Sequence, residues 1–378
     1  MRVLFACGGT AGHINPALAV ASLVKERCPE AEILFVGNPE GMEARLVPQA
    51  GYDFRPFRSQ GIQRRLTPRN IAYNIKSVGL LATASPRAAR ILKDFEPDIV
   101  FGTGSYISAP ILLEAARRGY KTMTHEANAL PGVSNKMVAG KVDRFLVAVE
   151  DAIPRLPHRE DYIITGNPIR PEILTADRSA ARKRLGIAPE QICILSFGGS
   201  LGAQTINMAV AELMAWHIPG GKIHHIHATG SYGVELLPQL LRERGAAFEN
   251  NPNIDIREYI HDMPDCLAAA DLVIARAGAM TLAELQAVGR ASVLIPSPNV
   301  AENHQYHNAM VLARHHAAVV IEEKDLTGEK LVAEIAALTE KPEMLQELGR
   351  NAAELGVRDA GERITDELFR LYNAPEKE

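Results

Sequence analysis

The feature that most constrains the fold is one pattern that the chain carries twice. The apolar run Val3–Ala6 leads into Gly8-Gly9-Thr10-Ala11-Gly12, and 190 residues later Cys193–Phe197 leads into Gly198-Gly199-Ser200-Leu201-Gly202. A helical pattern follows each loop. A strand, a glycine turn and a helix in this order open a doubly wound α/β domain. The repeat therefore predicts two Rossmann-like domains, for which 378 residues is a suitable length.

Between and after the two loops, short β-rich apolar runs alternate with helical patterns. Strands that are apolar on both faces are typical of parallel sheets covered by helices. The predicted strands are Val3–Ala6, Ile33–Val36, Ile99–Gly102, Thr122–His125, Phe145–Val149, Ile163–Thr165, Cys193–Phe197, Ile223–Ala228, Asp255–Arg257, Leu272–Ala275, Val293–Pro296 and Val319–Ile321. The predicted helices include Pro16–Arg27, Ala109–Arg118, Ala203–Met214 and Thr281–Val288.

The domain boundary is predicted near Thr165–Pro171, where Gly166-Asn167-Pro168 interrupts the alternation. We expect one domain at residues 1–165 and a second at 166–344. The last helical stretch, about 345–372, is long enough to cross back onto the first domain. Ligands of open parallel sheets bind beyond the carboxyl ends of the strands. Two such domains therefore predict a cleft with one ligand on each side.

Composition excludes several classes of protein. A net charge of −4 gives no reason to expect a nucleic-acid partner. The four cysteines lie far apart and form no CxxC pair, which favours a reducing compartment over a disulfide scaffold or zinc site. The N-terminal apolar run is too short for a signal peptide. No run reaches the roughly 18 apolar residues of a spanning helix, so we expect any membrane contact to be peripheral.

Both glycine loops are candidates for binding phosphate, because a helix N-terminus presents backbone N–H groups to an anion. The alternative is that the glycines only permit tight turns. A dinucleotide enzyme is disfavoured, since neither loop reads GxGxxG and Phe35-Val36-Gly37-Asn38 lacks an acidic residue for a ribose. His13, beside the first loop, is the candidate general base, because a helix N-terminus favours the neutral imidazole. The alternative is a histidine that caps the turn.

The second half carries two further polar segments. Arg276-Ala277-Gly278-Ala279 follows a predicted strand, and Glu284 lies just inside the next helix, where a carboxylate can accept two hydrogen bonds from a ribose diol. The alternative is a glutamate that complements the helix dipole. The cluster from Glu302 to Asn308 either binds sugar hydroxyl groups or forms a solvated loop.

A basic segment from Arg55 to Lys93 contains nine basic residues and no Asp or Glu. Apolar side chains interleave them, which suits anionic lipid headgroups at about 1 kcal/mol per nearby basic residue. Pyrophosphate binding by arginine and an ordinary solvated face are the alternatives, and few aromatics are present to stack on bases. The predicted membrane-contact residues are Arg64, Arg65, Arg69, Ile75, Lys76, Leu80 and Leu81.

One segment resembles a metal-binding cluster because it contains His224, His225 and His227. On a strand, however, His224 faces away from the other two, and the run contains no carboxylate. We therefore predict a packed or exposed strand and no metal site.

Five segments in this order give the chain a family resemblance. It resembles the MurG family of peptidoglycan N-acetylglucosaminyltransferases from Met1 to about Tyr372, through Gly8-Gly9-Thr10-Ala11-Gly12-His13, His125-Glu126-Ala127-Asn128, Gly166-Asn167-Pro168-Ile169-Arg170, Gly198-Gly199-Ser200-Leu201-Gly202-Ala203 and Arg276-Ala277-Gly278-Ala279. The resemblance implies a GT-B fold and inverting transfer of GlcNAc from UDP-GlcNAc to O4 of MurNAc in lipid I, without metal or other cofactor. It also implies a peripheral position on the cytoplasmic face of the membrane and cell-wall synthesis proteins as partners.

By resemblance, the acceptor binds the N-terminal domain and the donor mainly the C-terminal one. The implied acceptor-binding residues are Gly9, Thr10, His13, Gly104, Ser105, Tyr106 and Asn128. The implied donor-binding residues are Thr10, Gly12, His13, Asn128, Arg170, Ser200, Glu284 and Gln305. Of these, the resemblance places Arg170 and Ser200 near the diphosphate, Glu284 on the ribose and Gln305 near the sugar.

The chain departs from the family pattern at three positions. Ala11 replaces a usual glycine, Ala127 a usual glutamine, and His304 a glutamine. None is a proposed catalytic group, so we expect altered affinity rather than lost activity. The alternatives to a MurG-type enzyme are another glycolipid glycosyltransferase of this architecture, a UDP-GlcNAc 2-epimerase and a non-catalytic nucleotide-sugar sensor.

Overall fold

The computed structural model of the protein describes residues 1–61, 67, 74, 77–80, 82–199 and 201–375. The chain divides into two compact units: residues 1–168 with 358–378, and residues 169–357. Each unit is built on its own parallel sheet.

The N-terminal unit has a seven-stranded sheet in the order β3-β2-β1-β4-β5-β6-β7. Every pair in it is parallel, as expected for strands that are buried on both faces. The strands are β1 Arg2–Ala6, β2 Glu32–Gly37, β3 Asp53–Pro56, β4 Ile99–Gly102, β5 Lys121–Glu126, β6 Arg144–Val147 and β7 Tyr162–Ile164. The described α-helices are α1 Ala11–Arg27, α2 Glu43–Gln49, α3 Ala84–Phe95, α4 Ser105–Arg117 and α5 Val133–Val138, with a 3₁₀ helix at Glu150–Arg155.

The C-terminal unit repeats this arrangement with a six-stranded parallel sheet in the order β10-β9-β8-β11-β12-β13. Its strands are β8 Ile192–Phe197, β9 Ile223–Ala228, β10 Ile254–Arg257, β11 Leu272–Ala275, β12 Ala291–Leu294 and β13 Val319–Val320. Its α-helices are α6 Pro171–Thr175, α7 Arg178–Arg184, α8 Gln204–His217, α9 Leu236–Glu243, α10 Met263–Ala269, α11 Ala279–Val288, α12 His304–Arg314, α13 Gly328–Thr339 and α14 Pro342–Glu354. Short 3₁₀ helices lie at Ile218–Gly220, Ala301–Asn303 and Glu323–Asp325.

Strand order determines which loops become neighbours. In both sheets the first strand of the unit pairs with its second and its fourth strand, so the chain reverses direction across the sheet at that point. In the N-terminal unit Ala6 pairs with Gly102. In the C-terminal unit Phe197 pairs with Ala275. The first glycine loop thus lies beside the turn after β4, and the second beside the turn after β11.

The two-domain prediction and the parallel sheets agree with the structure, but β3 is missing from the predicted strands. Asp53–Pro56 contains two charged residues and a proline and is only half-buried or exposed. It is an edge strand, and edge strands commonly carry charges and proline in place of an apolar run. An apolar pattern therefore gives no signal for it.

The C-terminal helical stretch predicted over about 345–372 is not continuous in the structure. The structure has two helices with a break at 355–359. The first, Pro342–Glu354, belongs to the C-terminal unit, where Gly349 and Gly289 approach so closely that a Cβ on Gly349 would lie 2.6 Å from the Gly289 carbonyl oxygen. The second is α15, Ala360–Asn373, which packs Ile364, Leu368 and Leu371 into the N-terminal core.

Polar contacts of Arg27 and Lys121 attach α15 to the N-terminal unit. Arg27 forms ion pairs with Glu362 and Asp366. Lys121 Nζ donates to the carbonyl oxygens of Tyr372, at 2.7 Å, and Ala374, at 2.5 Å, at the end of the helix. The chain therefore returns to its first unit at Arg358, later than the sequence suggested. Among the described residues, no helix combines the length and the apolar character needed to span a membrane.

Candidate functional site

His13 lies in the first turn of α1, and the turn after β4 fixes its side chain. The imidazole Nδ1 lies 2.8 Å from the carbonyl oxygen of Thr103, 90 residues away in sequence. A carbonyl oxygen only accepts, so Nδ1 carries a proton, and in the neutral imidazole Nε2 is then the acceptor nitrogen. The Thr103 hydroxyl in turn donates to the His13 carbonyl oxygen at 2.6 Å. These reciprocal bonds hold the imidazole in the tautomer that a general base needs.

The turn that holds His13 is itself constrained. Gly104 has φ +87°, and a Cβ there would lie 3.2 Å from His13 Cε1. Ser105 has φ +75°, in the left-handed region that side chains other than glycine rarely adopt. Tyr106 packs against the first loop, since a Cβ on Gly9 would lie 3.3 Å from its Cε1. The structure thus brings Gly9, His13, Gly104 and Tyr106 together.

Asn128 is positioned by the buried carboxylate of Glu126, at the end of β5. Glu126 Oε1 accepts from the backbone N of Asn128 at 2.9 Å and from its Nδ2 at 3.1 Å. Glu126 Oε2 accepts from Asn135 Nδ2 at 2.9 Å. That same Nδ2 would lie 3.3 Å from a Cβ on Gly104. Glu126 and Asn135 therefore connect Asn128 to the turn beside His13.

Thr10 and Gly12 occupy the exposed side of the first loop. Thr10 is the N-cap residue of α1, yet its side chain makes no capping hydrogen bond. The Gly9 amide does not face outward, because it donates to Glu43 Oε2 at 3.2 Å. The outward polar groups of this loop are therefore those from Thr10 onward.

The second glycine loop is packed against the end of β9. Gly199 and Gly202 have φ +96° and +81°, and a Cβ on Gly202 would lie 2.0 Å from the Thr229 carbonyl oxygen. Only glycine fits at that close approach. Ser200, the predicted diphosphate-binding residue, lies outside the described residues.

Arg170 and Glu284, predicted to bind the diphosphate and the ribose, contact each other. Arg170 Nε and Nη2 each lie 3.0 Å from Glu284 Oε1. Burial raises the pKa of the Glu284 carboxyl, and the Arg170 guanidinium partly offsets this. The two groups therefore stabilise each other.

Polar contacts within the C-terminal unit hold the loops after β11 and β12. Arg276 pairs with Glu323 and donates to the Ile295 carbonyl oxygen at 3.2 Å. Gln305 Oε1 accepts from the Ser297 backbone N at 2.9 Å. Gln305 thus has a structural contact in addition to its predicted role near the sugar.

The histidine run is a packed strand, as predicted. All six residues of β9 are buried, and His225 and His227 share one face on which both contact Ser196 Oγ, at 2.7 and 2.6 Å. His225 Nδ1 lies 3.0 Å from His217 Nε2, and His227 Nε2 lies 2.9 Å from Asn207 Oδ1. Among the described residues, no group of three His, Cys, Asp or Glu side chains is arranged to hold a metal ion.

Most of the predicted membrane-contact residues cannot be placed. Arg64, Arg65, Arg69, Ile75, Lys76 and Leu81 lie outside the described residues. Leu80 is half-buried, and its carbonyl oxygen accepts from Arg87 at 2.8 Å. The Arg87 guanidinium also lies 4.7 Å from the centre of the Phe57 ring. At least one cation of the basic segment is therefore used in packing.

Sequence reasoning gave no role to Thr103, Glu126, Asn135 or Glu43. Glu126 had a signal, since it ends a strand inside His125-Glu126-Ala127-Asn128, where site residues of parallel sheets concentrate. Glu43 had a weaker one, because Gly37 and Gly41 flank it closely.

Of the departures from the family pattern, Ala127 is buried and its carbonyl oxygen accepts from Asn167 Nδ2 at 3.0 Å, and Ala11 begins α1.

Comparison with known proteins agrees with this architecture. The glycosyltransferase family 28 N-terminal domain matches residues 3–147, and the family 28 C-terminal domain matches residues 193–364. A relative from Acetivibrio thermocellus, named UDP-N-acetylglucosamine–N-acetylmuramyl-(pentapeptide) pyrophosphoryl-undecaprenol N-acetylglucosamine transferase, is 42% identical over 364 residues and 96% of each chain.

Two solved structures share this fold but differ in their sequence identity to this chain. MurG from Acinetobacter baumannii is 27% identical, with a TM-score of 0.78 over 98% of this chain and 99% of that one. A UDP-GlcNAc 2-epimerase from Neisseria meningitidis bound to UDP-GlcNAc has a TM-score of 0.65 over 98% and 99%, at 14% identity, and shares the fold only. The domain matches and the full-length identity, which the fold supports, establish that the chain belongs to the MurG family of glycosyltransferase family 28.

Proposed function

We propose that this protein transfers N-acetylglucosamine from UDP-GlcNAc to O4 of the MurNAc residue of lipid I, giving lipid II and UDP. The family carries the substrate assignment, since its relatives are named for this reaction. The observation in this chain that carries the chemistry is the Thr103 carbonyl oxygen 2.8 Å from His13 Nδ1. It leaves Nε2 as the proton acceptor, beside glycine turns suited to an anionic substrate.

In the proposed reaction, His13 Nε2 takes the proton from the acceptor hydroxyl as its oxygen attacks the anomeric carbon. The attack comes from the face opposite UDP, so the configuration inverts. The acceptor pyrophosphate binds near Thr10 and the turn at Gly104–Tyr106. Asn128, held by Glu126, orients a sugar hydroxyl or amide. A base positioned in this way contributes about 10²–10⁴-fold to a rate.

On the donor side, charge develops on the departing diphosphate, so most stabilisation belongs there. We assign it to Arg170, to Ser200 and to backbone N–H groups of the second glycine loop. Glu284 accepts from the ribose hydroxyl groups, and Gln305 contacts the sugar. Arg170 pairs with Glu284 Oε1 in this structure. When the donor binds, the Arg170 guanidinium therefore either binds the diphosphate in addition to Glu284 or leaves Glu284 to do so.

The acceptor ends in an undecaprenyl chain that stays in the bilayer, so the enzyme works at the membrane surface. We assign this contact to the basic segment Arg55–Lys93, whose nine basic residues occur without an acidic one. The proposed position is peripheral, on the cytoplasmic face, where UDP-GlcNAc is available.

The test is release of UDP from UDP-GlcNAc with and without a short-chain lipid I analogue. We expect acceptor-dependent release and a disaccharide-lipid product by mass spectrometry. A diacylglycerol acceptor serves as the control for other glycolipid synthases. UDP release with diacylglycerol but not with the lipid I analogue would contradict lipid I as the acceptor and indicate another glycolipid synthase. Conversion of the sugar without any acceptor would indicate an epimerase.

A further inference from the structure

Glu43, the first residue of α2, is a fully buried carboxylate behind the first glycine loop. Its side chain is 0% exposed. Oε2 accepts from the Gly9 backbone N at 3.2 Å, and Oε1 accepts from the Asn38 backbone N at 2.9 Å. One carboxylate therefore joins the loop after β1 to the turn after β2.

Three glycines make the space that this carboxylate occupies. A Cβ on Gly8 would lie 2.2 Å from Glu43 Oε1, one on Gly37 2.5 Å from its Cγ, and one on Gly41 2.3 Å from its Oε2. Real Cβ atoms do not approach so closely. The sequence around Glu43 is thus built to admit this side chain against the loop.

The described contacts of the Glu43 carboxylate are with backbone amides. In the described parts of the chain, no lysine, arginine or histidine forms an ion pair with Glu43, and its partners are the two backbone amides. Burying a carboxylate without a counter-ion is costly unless hydrogen bonds compensate. A simple core position would be filled more favourably by an apolar side chain. The arrangement therefore indicates a task for Glu43.

We propose that Glu43 is a positioning residue for the acceptor site; this inference rests on the proposed function. By binding the Gly9 amide, Glu43 turns that N–H away from the substrate and fixes the loop that carries Thr10 and His13. The acceptor pyrophosphate is then bound by Thr10 and the later groups of the loop rather than by Gly9. The groups assigned to the UDP moiety of the donor, among them Arg170 and Glu284, lie in the C-terminal unit and not in this loop.

Two variants separate the position of the carboxylate from its charge. Glu43→Gln keeps the shape, but its NH₂ group cannot accept, so either Gly9 or Asn38 loses its partner. Gly41→Ala keeps the charge and pushes Oε2 away from Gly9. The matched control is Glu114→Gln, since Glu114 is also a buried carboxylate of the N-terminal unit, at 3% exposure, but binds Arg117, Arg118 and Ser85.

Steady-state kinetics with UDP-GlcNAc and the lipid I analogue, alongside thermal unfolding, provide the test. We expect Glu43→Gln and Gly41→Ala to lower kcat/KM for the acceptor by about 10- to 100-fold. The inhibition constant for UDP should stay within about twofold of wild type, since the groups assigned to its diphosphate and ribose lie in the C-terminal unit. Glu114→Gln should change neither constant, although it lowers the melting temperature.

Three outcomes would overturn the inference. Acceptor kinetics like those of Glu114→Gln in folded Glu43 variants would show that the carboxylate is only structural. Equal losses for UDP and acceptor would show a general disturbance of the enzyme. A wild-type protein without acceptor-dependent UDP release would overturn the proposed function, and the inference with it.

Discussion

The two glycine loops share the pattern Gly-Gly-hydroxyl-x-Gly, yet their surroundings differ. In the N-terminal unit, α1 begins at Ala11, inside the pattern, so His13 lies in the first turn of the helix. In the C-terminal unit, α8 begins at Gln204, after the pattern has ended. The position equivalent to His13 is Ala203, the N-cap residue of α8. The repeated pattern therefore predicts the same fold in both units, but a candidate general base, His13, follows only the first loop.

The groups behind the loops differ as well. The first loop is backed by the Glu43 carboxylate, which binds the Gly9 amide. The second is backed by the β9 end, where Asn207 Nδ2 donates to the Thr229 carbonyl oxygen at 3.0 Å. Asn207 is in turn joined to His227, Ser196, His225 and His217. The first loop thus packs against a buried carboxylate, whereas the second packs against a chain of hydrogen-bonded neutral side chains.

The largest expected effect is that of replacing His13. His13→Ala should lower kcat by about 10²–10⁴-fold, while KM for UDP-GlcNAc changes little, because a base acts mainly in the transition state. His13→Asn, which retains a donor for the Thr103 carbonyl oxygen, should be equally slow. Steady-state kinetics check this, with the exposed His158→Ala as control. Loss of donor affinity in proportion to turnover would contradict the base assignment.

Gly202 of the second glycine loop should tolerate an added methyl group less than Gly12 of the first. Gly202→Ala would place Cβ 2.0 Å from the Thr229 carbonyl oxygen at φ +81°. We expect a loss of about 1–3 kcal/mol in stability and at least tenfold weaker UDP binding. Gly12→Ala, whose Cβ would meet only Thr10 Oγ1 at 3.6 Å, should leave UDP binding nearly unchanged.

Calorimetric titration with UDP and chemical unfolding measure both effects. Gly119→Ala is the control for backbone strain alone, since Gly119 has φ +82° and no atom within 4 Å of a Cβ. If Gly202→Ala behaves like Gly119→Ala, the close packing of the second loop does not govern UDP binding.

The histidine chain makes the C-terminal unit sensitive to acid. Burial lowers the pKa of His217 to about 4 and that of His227 to about 3, and it lowers the pKa of His225 well below its usual value. Below about pH 6.5 the unfolded chain protonates these histidines while the folded chain keeps them neutral. Stability should therefore fall as pH drops from about 6.5 toward 4, by about 1.4 kcal/mol per pH unit for each group.

The variant His217→Gln isolates one of these groups. Glutamine can donate to His225 Nδ1 but does not titrate, so the free energy of unfolding should depend less steeply on pH. Chemical unfolding between pH 7.5 and 4.5 measures the slope, with the exposed His158→Gln as control. An unchanged slope in His217→Gln would show that His217 is not among the titrating groups.

The smallest expected effect is the difference in stability loss between two exposed N-cap threonines, Thr327 and Thr10. Thr327 Oγ1 accepts from the Lys330 backbone N at 3.1 Å, whereas Thr10 makes no capping bond. Thr327→Val should cost about 1 kcal/mol in unfolding free energy. Thr10→Val should cost less than about 0.5 kcal/mol but raise KM for the acceptor. A stability loss in Thr10→Val as large as that in Thr327→Val would mean that Thr10 does cap α1.

Local sequence patterns were enough to predict the features of this protein that depend on a few neighbouring residues. Glycine requirements and apolar runs identified both doubly wound units and nearly all their strands, because backbone freedom and two-sided burial leave a signal within a few residues. The alternation of faces on β9 separated His224 from His225 and His227 in the same way. The ordered motifs identified the family.

Only the tertiary structure decided what those residues contact. His13 meets Thr103 across 90 residues because β1 and β4 are neighbours in the sheet, and strand order is a non-local property. The same holds for Glu43 behind Gly9, for Arg170 on Glu284, and for the return of the chain at Arg358. Edge strand β3 carried too little buried apolar surface to leave a pattern. Local sequence specifies which elements form, whereas packing between distant elements decides which polar groups share a site.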